Sequence, residues 1–188
     1  MKIAWGITGA GHYLRQSVEL IEAICKKPIQ MDLFLSAAGE SLLKMYGLLS
    51  RLEELQRNEP KKIGNIFKDN NQAPGFPICG KFNLHHYDLL VLSPLSANSV
   101  AKINVGIADN LITNIFAQMI KGGGKILVLP CDIIAGEITT EIPSGEKIKI
   151  HVDEFNSSNA RTVAKFPHVS VFETPSALFK VIQTQYLS

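Results

Sequence analysis

The sequence is poor in the features that would send a protein out of the cell, into a bilayer or onto a nucleic acid. It has three cysteines, Cys25, Cys79 and Cys131, which lie far apart and form no C-x-x-C pair. An odd count argues against a secreted disulfide framework, and the spacing argues against a zinc knuckle. A four-thiolate iron–sulfur cluster within the chain is excluded by number alone. Electrons that pass through such a protein need an organic carrier. Charge of one sign is also lacking: 19 basic residues stand against 17 acidic ones, scattered along the chain, for a net +2. No concentrated basic face points to a nucleic-acid partner. No apolar run approaches the roughly 20 residues that span a bilayer, and the first residues enter an amphipathic strand instead of a signal-peptide core. The expectation is a cytoplasmic protein with no membrane partner, no nucleic-acid partner and no metal centre.

What is present is a chain of 188 residues, 46% hydrophobic, which suffices to bury a core in one domain. Apolar runs alternate with helical periodicity. Residues 2–8 (KIAWGIT) predict a strand, and residues 13–26 a helix with Leu14, Val18, Leu20, Ile21 and Ile24 on one side. Residues 31–36 predict a second strand and 37–55 a helix. Between Arg57 and Gly80 the chain turns polar and carries Pro60, Pro74 and Pro77, which predicts an excursion over the fold, either a lid or an indel-tolerant loop. Residues 88–93 (DLLVLS) are apolar almost throughout, as in a strand covered on both faces. Helices are predicted over 96–104 and 109–121, broken at Gly106, and a further buried strand over 125–130. Residues 137–141 and 147–152 alternate around Pro143-Ser144-Gly145-Glu146, a hairpin signal. A last strand at 169–172 and a helix opened by Pro175 complete the pattern. No internal repeat is evident. The alternation implies an α/β fold with a doubly wound, mainly parallel sheet in three layers, a C-terminal hairpin and helix extending it over about residues 137–188, and ligands at the carboxyl ends of the strands.

Three loops at those ends carry the chemistry. The first is Gly6-Ile7-Thr8-Gly9-Ala10-Gly11-His12, whose glycines let backbone N–H groups approach an anion while Thr8 adds a hydroxyl. The third glycine of a dinucleotide fingerprint is absent, and Ser36 stands where a ribose-binding carboxylate belongs, so a mononucleotide is favoured over NAD. A tight turn without a ligand is the alternative. Ser36-Ala37-Ala38-Gly39 repeats the logic after the second strand, although Ser36 can equally be a plain N-cap. The third loop opens the segment at residues 93–113, SPLSANSVAKINVGIADNLIT.

That segment resembles the signature of the flavoprotein family that includes phosphopantothenoylcysteine decarboxylase, the lantibiotic cysteine decarboxylases and the flavin prenyltransferases. Those proteins share a proline turn, a small-residue Asn segment, then Ala-Lys and Gly-Ile-Ala-Asp-Asn-Leu. The likeness extends in order from Ile3 to about Pro130 and implies a Rossmann-like flavoprotein fold that binds one FMN. By resemblance, Gly9, Ala10 and Ser36 would lie at its phosphate and Ser93, Pro94, Ser96, Ala97 and Asn98 against its ring, while Thr8, Gly11 and His12 are candidate cofactor contacts from the first loop itself. Asp109 and Asn110 would begin the helix that closes the site, or simply cap that helix.

The decarboxylases of the family carry a catalytic histidine several residues before the strand that leads to the proline turn. In residues 79–88 (CGKFNLHHYD), Gly80 or Lys81 occupies that register, and His85 and His86 sit too close to Asp88, where a structural role is expected. The substrate clamp after the last central strand is also replaced, by Pro130-Cys131-Asp132. The chain resembles instead the archaeoflavoprotein and dihydromethanopterin reductase branch. That likeness implies an FMN-dependent oxidoreductase fed by a ferredoxin-like donor or reduced flavin, a pterin as one acceptor, and a trimer-based homo-oligomer. His12 would face phosphate, substrate or solvent. Cys131 would approach the flavin or stay an inert buried thiol. The competing expectations are a decarboxylase or flavin prenyltransferase and a cofactor-free partner module.

Overall fold

In the computed structural model, which describes residues 1–71 and 77–187, strands and helices alternate as the hydrophobic period switches between two and 3.6. Their order is β1 (Lys2–Ile7), α1 (Leu14–Ile24), β2 (Gln30–Leu35), α2 (Ala37–Met45), α3 (Leu49–Asn58), β3 (Ile63–Lys68) and α4 (Gly80–Asn83). There follow β4 (Leu89–Leu95), α5 (Ala97–Asn104), α6 (Leu111–Lys121), β5 (Lys125–Pro130), β6 (Gly136–Glu141), β7 (Lys147–Val152), α7 (Glu154–Thr162), β8 (Val169–Val171) and α8 (Pro175–Tyr186). Six strands form one sheet in the order β3-β2-β1-β4-β5-β8, every pair parallel. β6 and β7 form a separate antiparallel hairpin.

Period-two alternation sends each strand's side chains to two different cores. Ile3, Trp5, Leu33, Leu89 and Val91 pack with Leu14, Val18 and Ile21 of α1 and Leu178 of α8. Ala4, Phe34, Leu90, Leu92 and Val128 pack on the opposite face with Val100 of α5 and Ile112, Ile115 and Phe116 of α6. These are the three layers of the doubly wound α/β fold that the alternation implied, with the hairpin and terminal helix in their expected places.

Three details differ from the sequence reading. The predicted excursion contains a strand, β3, at the sheet edge; residues 72–76 of that excursion, including Pro74, lie outside the described residues. β3 was hidden because its polar, half-exposed pattern around Gly64 pairs with β2 alone, through an irregular register. The helix predicted over 37–55 is two helices, parted where Gly47 takes a φ of 66°. Helix α7 has no apolar stripe to announce it, since the residues it buries are Ser157 and Ala160. Among the described residues no helix is long and apolar enough to cross a membrane.

The end of the sheet away from the cleft is pinned by a buried carboxylate. Asp32 on β2, 2% exposed, accepts from Asn65 N–H at 2.7 Å and Tyr87 Oη at 2.8 Å, with Lys2 Nζ at 3.2 Å. His86 Nε2 lies 2.8 Å from the same ammonium, a structural role for that histidine. Burial pushes the Asp32 carboxyl up, but the bonds from Asn65, Tyr87 and Lys2 outweigh it and hold it below its ordinary value of 3.8. A depressed pKa means that this stabilisation is complete above pH 3.8 and is lost as pH falls through the lower folded value. Asp32→Asn should therefore cost about 1–3 kcal/mol at pH 7 in urea unfolding. The deficit relative to wild type should shrink below pH 3.8; an unchanged gap in strong acid would refute the assignment.

Candidate functional site

The topology fixes where a site can be. β1 lies between β2 and β4, and the chain leaves β1 for α1 on one face and β4 for α5 on the other, which opens a crevice at the carboxyl ends of these strands. An open cleft of about 610 Å³ occupies that position. Its walls come from the β1 loop (Gly9, Ala10, Gly11, His12), the β2 loop (Ser36, Ala37, Ala38) and the start of α5 (Ser96, Ala97, Asn98). Asp109 and Asn110 border it before α6, and Cys131 and Asp132 follow β5.

The loops are held together beneath the cleft by residues that do not line it. Thr8, 1% exposed, donates its hydroxyl to Pro94 O at 2.9 Å and accepts from Ser96 N–H at 2.7 Å, stapling the β1 loop to the β4 loop. Ser93 is fully buried, with its hydroxyl 2.7 Å from Ser17 Oγ and its carbonyl accepting from Trp5 Nε1 at 2.9 Å. The Ser93–Pro94 bond is cis. Thr8, Ser93 and Pro94 thus form the floor's support, while the other sequence-predicted residues meet at the cleft surface.

The cleft is rich in free donors. Ser36 caps α2 by accepting from Gly39 N–H at 3.0 Å, and Ser96 caps α5 by accepting from Ser99 N–H at 3.4 Å, so two positive helix ends open onto it. Among the described residues the N–H groups of Gly9, Gly11 and Ala38 have no partner. A Cβ at Gly9 would fall 2.5 Å from the Ala38 Cβ, so this glycine is what lets the β1 and β2 loops close on one another. Asn110 does cap α6, accepting from Thr113 N–H at 3.0 Å, and Asp109 is held by Lys102 at 2.6 Å; both also border the cleft.

Beyond the predicted set the cleft is also bordered by Ala37, Ala38, Cys131 and Asp132, and by Asp69, Ser99, Lys102 and Ile150. Asp69 follows β3, where its Oδ1 accepts from Leu111 N–H at 2.9 Å and its Oδ2 lies 3.4 Å from Ala37 N, bridging the starts of α6 and α2. The polar run after Phe67 concealed it; recognising β3 as a strand would have placed Asp69 at a carboxyl end. Ser99 lies in the first turn of α5 and Lys102 in the second. Ile150 reaches the cleft from the hairpin, which no local pattern signals.

His12 stacks against the Tyr13 ring, centroids 3.8 Å apart, and burial lowers its pKa while Asp132 partly restores it. Burial, with Asp132 beside it, raises the Cys131 thiol far above its usual range. The Cys131 thiol is therefore uncharged at neutral pH and brings no negative charge to the helix ends. Residues 79–88 contribute nothing to the cleft.

Comparison with known proteins places this geometry in context. DmrB of Burkholderia xenovorans, solved in complex with FMN as a cubic protein cage for redox transfer, superposes with a TM-score of 0.75 at 30% identity, covering 97% of this chain and 96% of that one. Dihydromethanopterin reductase (acceptor) of Methanosarcina mazei is 38% identical over 144 residues, 76% of this chain and 59% of that protein. Its Methanocaldococcus jannaschii counterpart is 40% identical over 149 residues, 76% of this chain and 58% of that protein. The chain thus spans about three-fifths of the length of these curated relatives. The Flavoprotein family model matches residues 1–178, nearly the whole chain, and the chain belongs to that family.

Proposed function

We propose that the chain is a single-domain, cytoplasmic, FMN-dependent oxidoreductase that takes electrons from a ferredoxin or a reduced flavin and delivers them to a dihydropterin. The observation that carries this reading is the cleft itself: unpaired N–H groups and two helix N-termini converge where an FMN-holding neighbour at 30% identity has the same fold. The residues present fit the cofactor. Gly9, Ala10, Gly11 and Ala38, with the Ser36 cap, would hold the phosphate without any cationic side chain. Ser96, Ala97 and Asn98 would hold the ring, and about 610 Å³ accommodates a mononucleotide.

Bound there, FMN supplies hydride or single-electron transfer. The protein's own part is positional and electrostatic. Thr8 keeps two loops at one separation, and the uncharged Cys131 adds no negative charge beside the ring. Decarboxylation would need an acid/base group from residues 79–88, and none of them reaches the cleft.

The working form is a homo-oligomer built on trimers. Supporting this, Val105 and Ile107 are 71% and 47% exposed, and Ile107 borders an apolar groove with Phe116 and Phe166. Sedimentation velocity should give a multiple of three chains, and Val105→Glu with Ile107→Glu should lower the mass; a monomeric wild type would rule the assembly out.

Purified protein reconstituted with FMN should show flavin absorbance and quenched flavin fluorescence, and Gly9→Leu should abolish both. Thr8→Val removes the staple without touching the cleft surface and should weaken FMN binding roughly tenfold, equivalent to about 1.4 kcal/mol. Reduced ferredoxin or reduced flavin should bleach the bound cofactor and a dihydropterin should restore its colour. A bound flavin that no donor bleaches would sink the redox reading.

A further inference from the structure

Reduction of a dihydropterin has a proton to account for. The ring is reduced at a carbon–nitrogen double bond, which takes a hydride on carbon and a proton on nitrogen. Bound FMN supplies the hydride. The proton comes from the protein or from water, and few groups on the cleft wall can give one. Asp69 accepts from backbone N–H groups through both of its oxygens, and Lys102 is closed on Asp109 at 2.6 Å. Burial, with Asp132 beside it, holds the Cys131 proton far above the neutral range.

His12 differs from all of these. It is half-buried on the wall shared by the FMN cleft and a second cavity of about 280 Å³. Among the described residues no hydrogen bond engages either ring nitrogen, and neither nitrogen is sealed from solvent. The ring is nonetheless held in place. Tyr13 takes a left-handed backbone conformation, φ 66°, which is disfavoured for an aromatic residue and persists where the surrounding structure imposes it. Its ring stacks on His12 with centroids 3.8 Å apart, and its hydroxyl donates to Glu173 O at 3.1 Å. The other charged and titratable groups around His12 are committed elsewhere or stand outside the cleft. Arg15 and Glu141 pair in the second cavity at 2.8 Å, the Tyr46 hydroxyl donates to the Glu141 carbonyl at 2.7 Å, and Lys147 lines that cavity but not the cleft. Asp132, on the cleft wall, favours the charged imidazole, while burial opposes it more strongly.

We propose that His12 delivers the proton to the pterin nitrogen as hydride reaches the neighbouring carbon, and that Tyr13 positions the imidazole to do so. This role deepens the reductase reading and rests on it for the acceptor. The imidazolium N–H bond breaks and a pterin N–H bond forms, which together with the hydride balances the addition of two electrons and two hydrogens. His12 is left neutral. The second cavity gives the proton a way back, since it reaches the exposed Gln16 and Thr139, and water there can recharge His12 without crossing the cleft.

The test uses FMN-loaded protein reduced with dithionite and reoxidised under rapid mixing by two acceptors, 6-methyl-7,8-dihydropterin, which takes up a proton, and ferricyanide, which takes electrons alone. In wild type the dihydropterin rate should fall as pH rises through the folded pKa of His12, because the protonated ring is the donor and burial sets that pKa below 6.5. His12→Gln should slow the dihydropterin reaction roughly 100-fold, flatten its pH profile and recover in part with added imidazole, while ferricyanide still reoxidises the flavin at the wild-type rate. Tyr13→Phe should keep the dihydropterin rate, and Tyr13→Leu, which loses the stacked ring, should lower it roughly tenfold with no change towards ferricyanide. Without turnover, NMR titration of the flavin-free chain should show the His12 ring ionising below pH 6.5, and lower still in Asp132→Asn. A ring that stays neutral over the whole pH range of the folded chain would overturn the proposal. So would dihydropterin reduction by His12→Gln at the wild-type rate, or a loss of FMN affinity in that variant, which would make His12 a cofactor contact. A wild type that ferricyanide reoxidises and dihydropterin does not would sink the reductase reading and the proton role with it.

Discussion

The Thr8 hydroxyl lies between the carboxyl ends of β1 and β4, donating to one chain segment and accepting from the next. Those two parallel strands send their connections to opposite faces of the sheet, so their loops part as they leave it. Backbone pairing crosses that gap from Thr8 N–H to Pro94 O at 3.2 Å. A small β-branched alcohol bridging Pro94 O and Ser96 N–H sets its width. Ser93, locked to Ser17 and Trp5, fixes the same loop from below. The cleft depends on this buried polar layer, and the layer is affordable because each of these hydroxyls is paired.

Above that layer the electrostatics come from the backbone. α2, α5 and α6 begin at the cleft, each with a side-chain cap that satisfies part of its first turn. Asp69 is instructive, because a carboxylate of the protein itself bridges the starts of α2 and α6. It marks where negative charge is stabilised. Lys102, by contrast, is committed to Asp109, so side-chain cations add little to the attraction at this cleft.

Much of this was legible in one dimension. Strands with both faces covered have a composition that reveals them, and residues 88–93 and 125–130 were evident for that reason. The loops after β1, β2 and β4 were evident because glycine, serine and a Gly-Ile-Ala-Asp-Asn segment occur at strand-to-helix junctions. What stayed hidden was whatever lacks local periodicity. β3 is an edge strand paired on one side, α7 buries small residues, and Asp69 and Ile150 border the cleft only because distant segments return to one sheet edge.

The sequence by itself determined the alternation of strand and helix, hence the parallel sheet, and the identity of the loops at its carboxyl edge. Those follow from local hydrophobic period and backbone stereochemistry, which act over a few residues. Tertiary structure alone decided which loop residues line the cleft and which support its floor. A strand's alternation and a loop's turn settle side-chain direction only after neighbouring strands have fixed the register. Thr8, Ser93 and Pro94 share their segments with cleft residues and yet point into the protein, because Trp5, Ser17 and Ser96 are there to meet them.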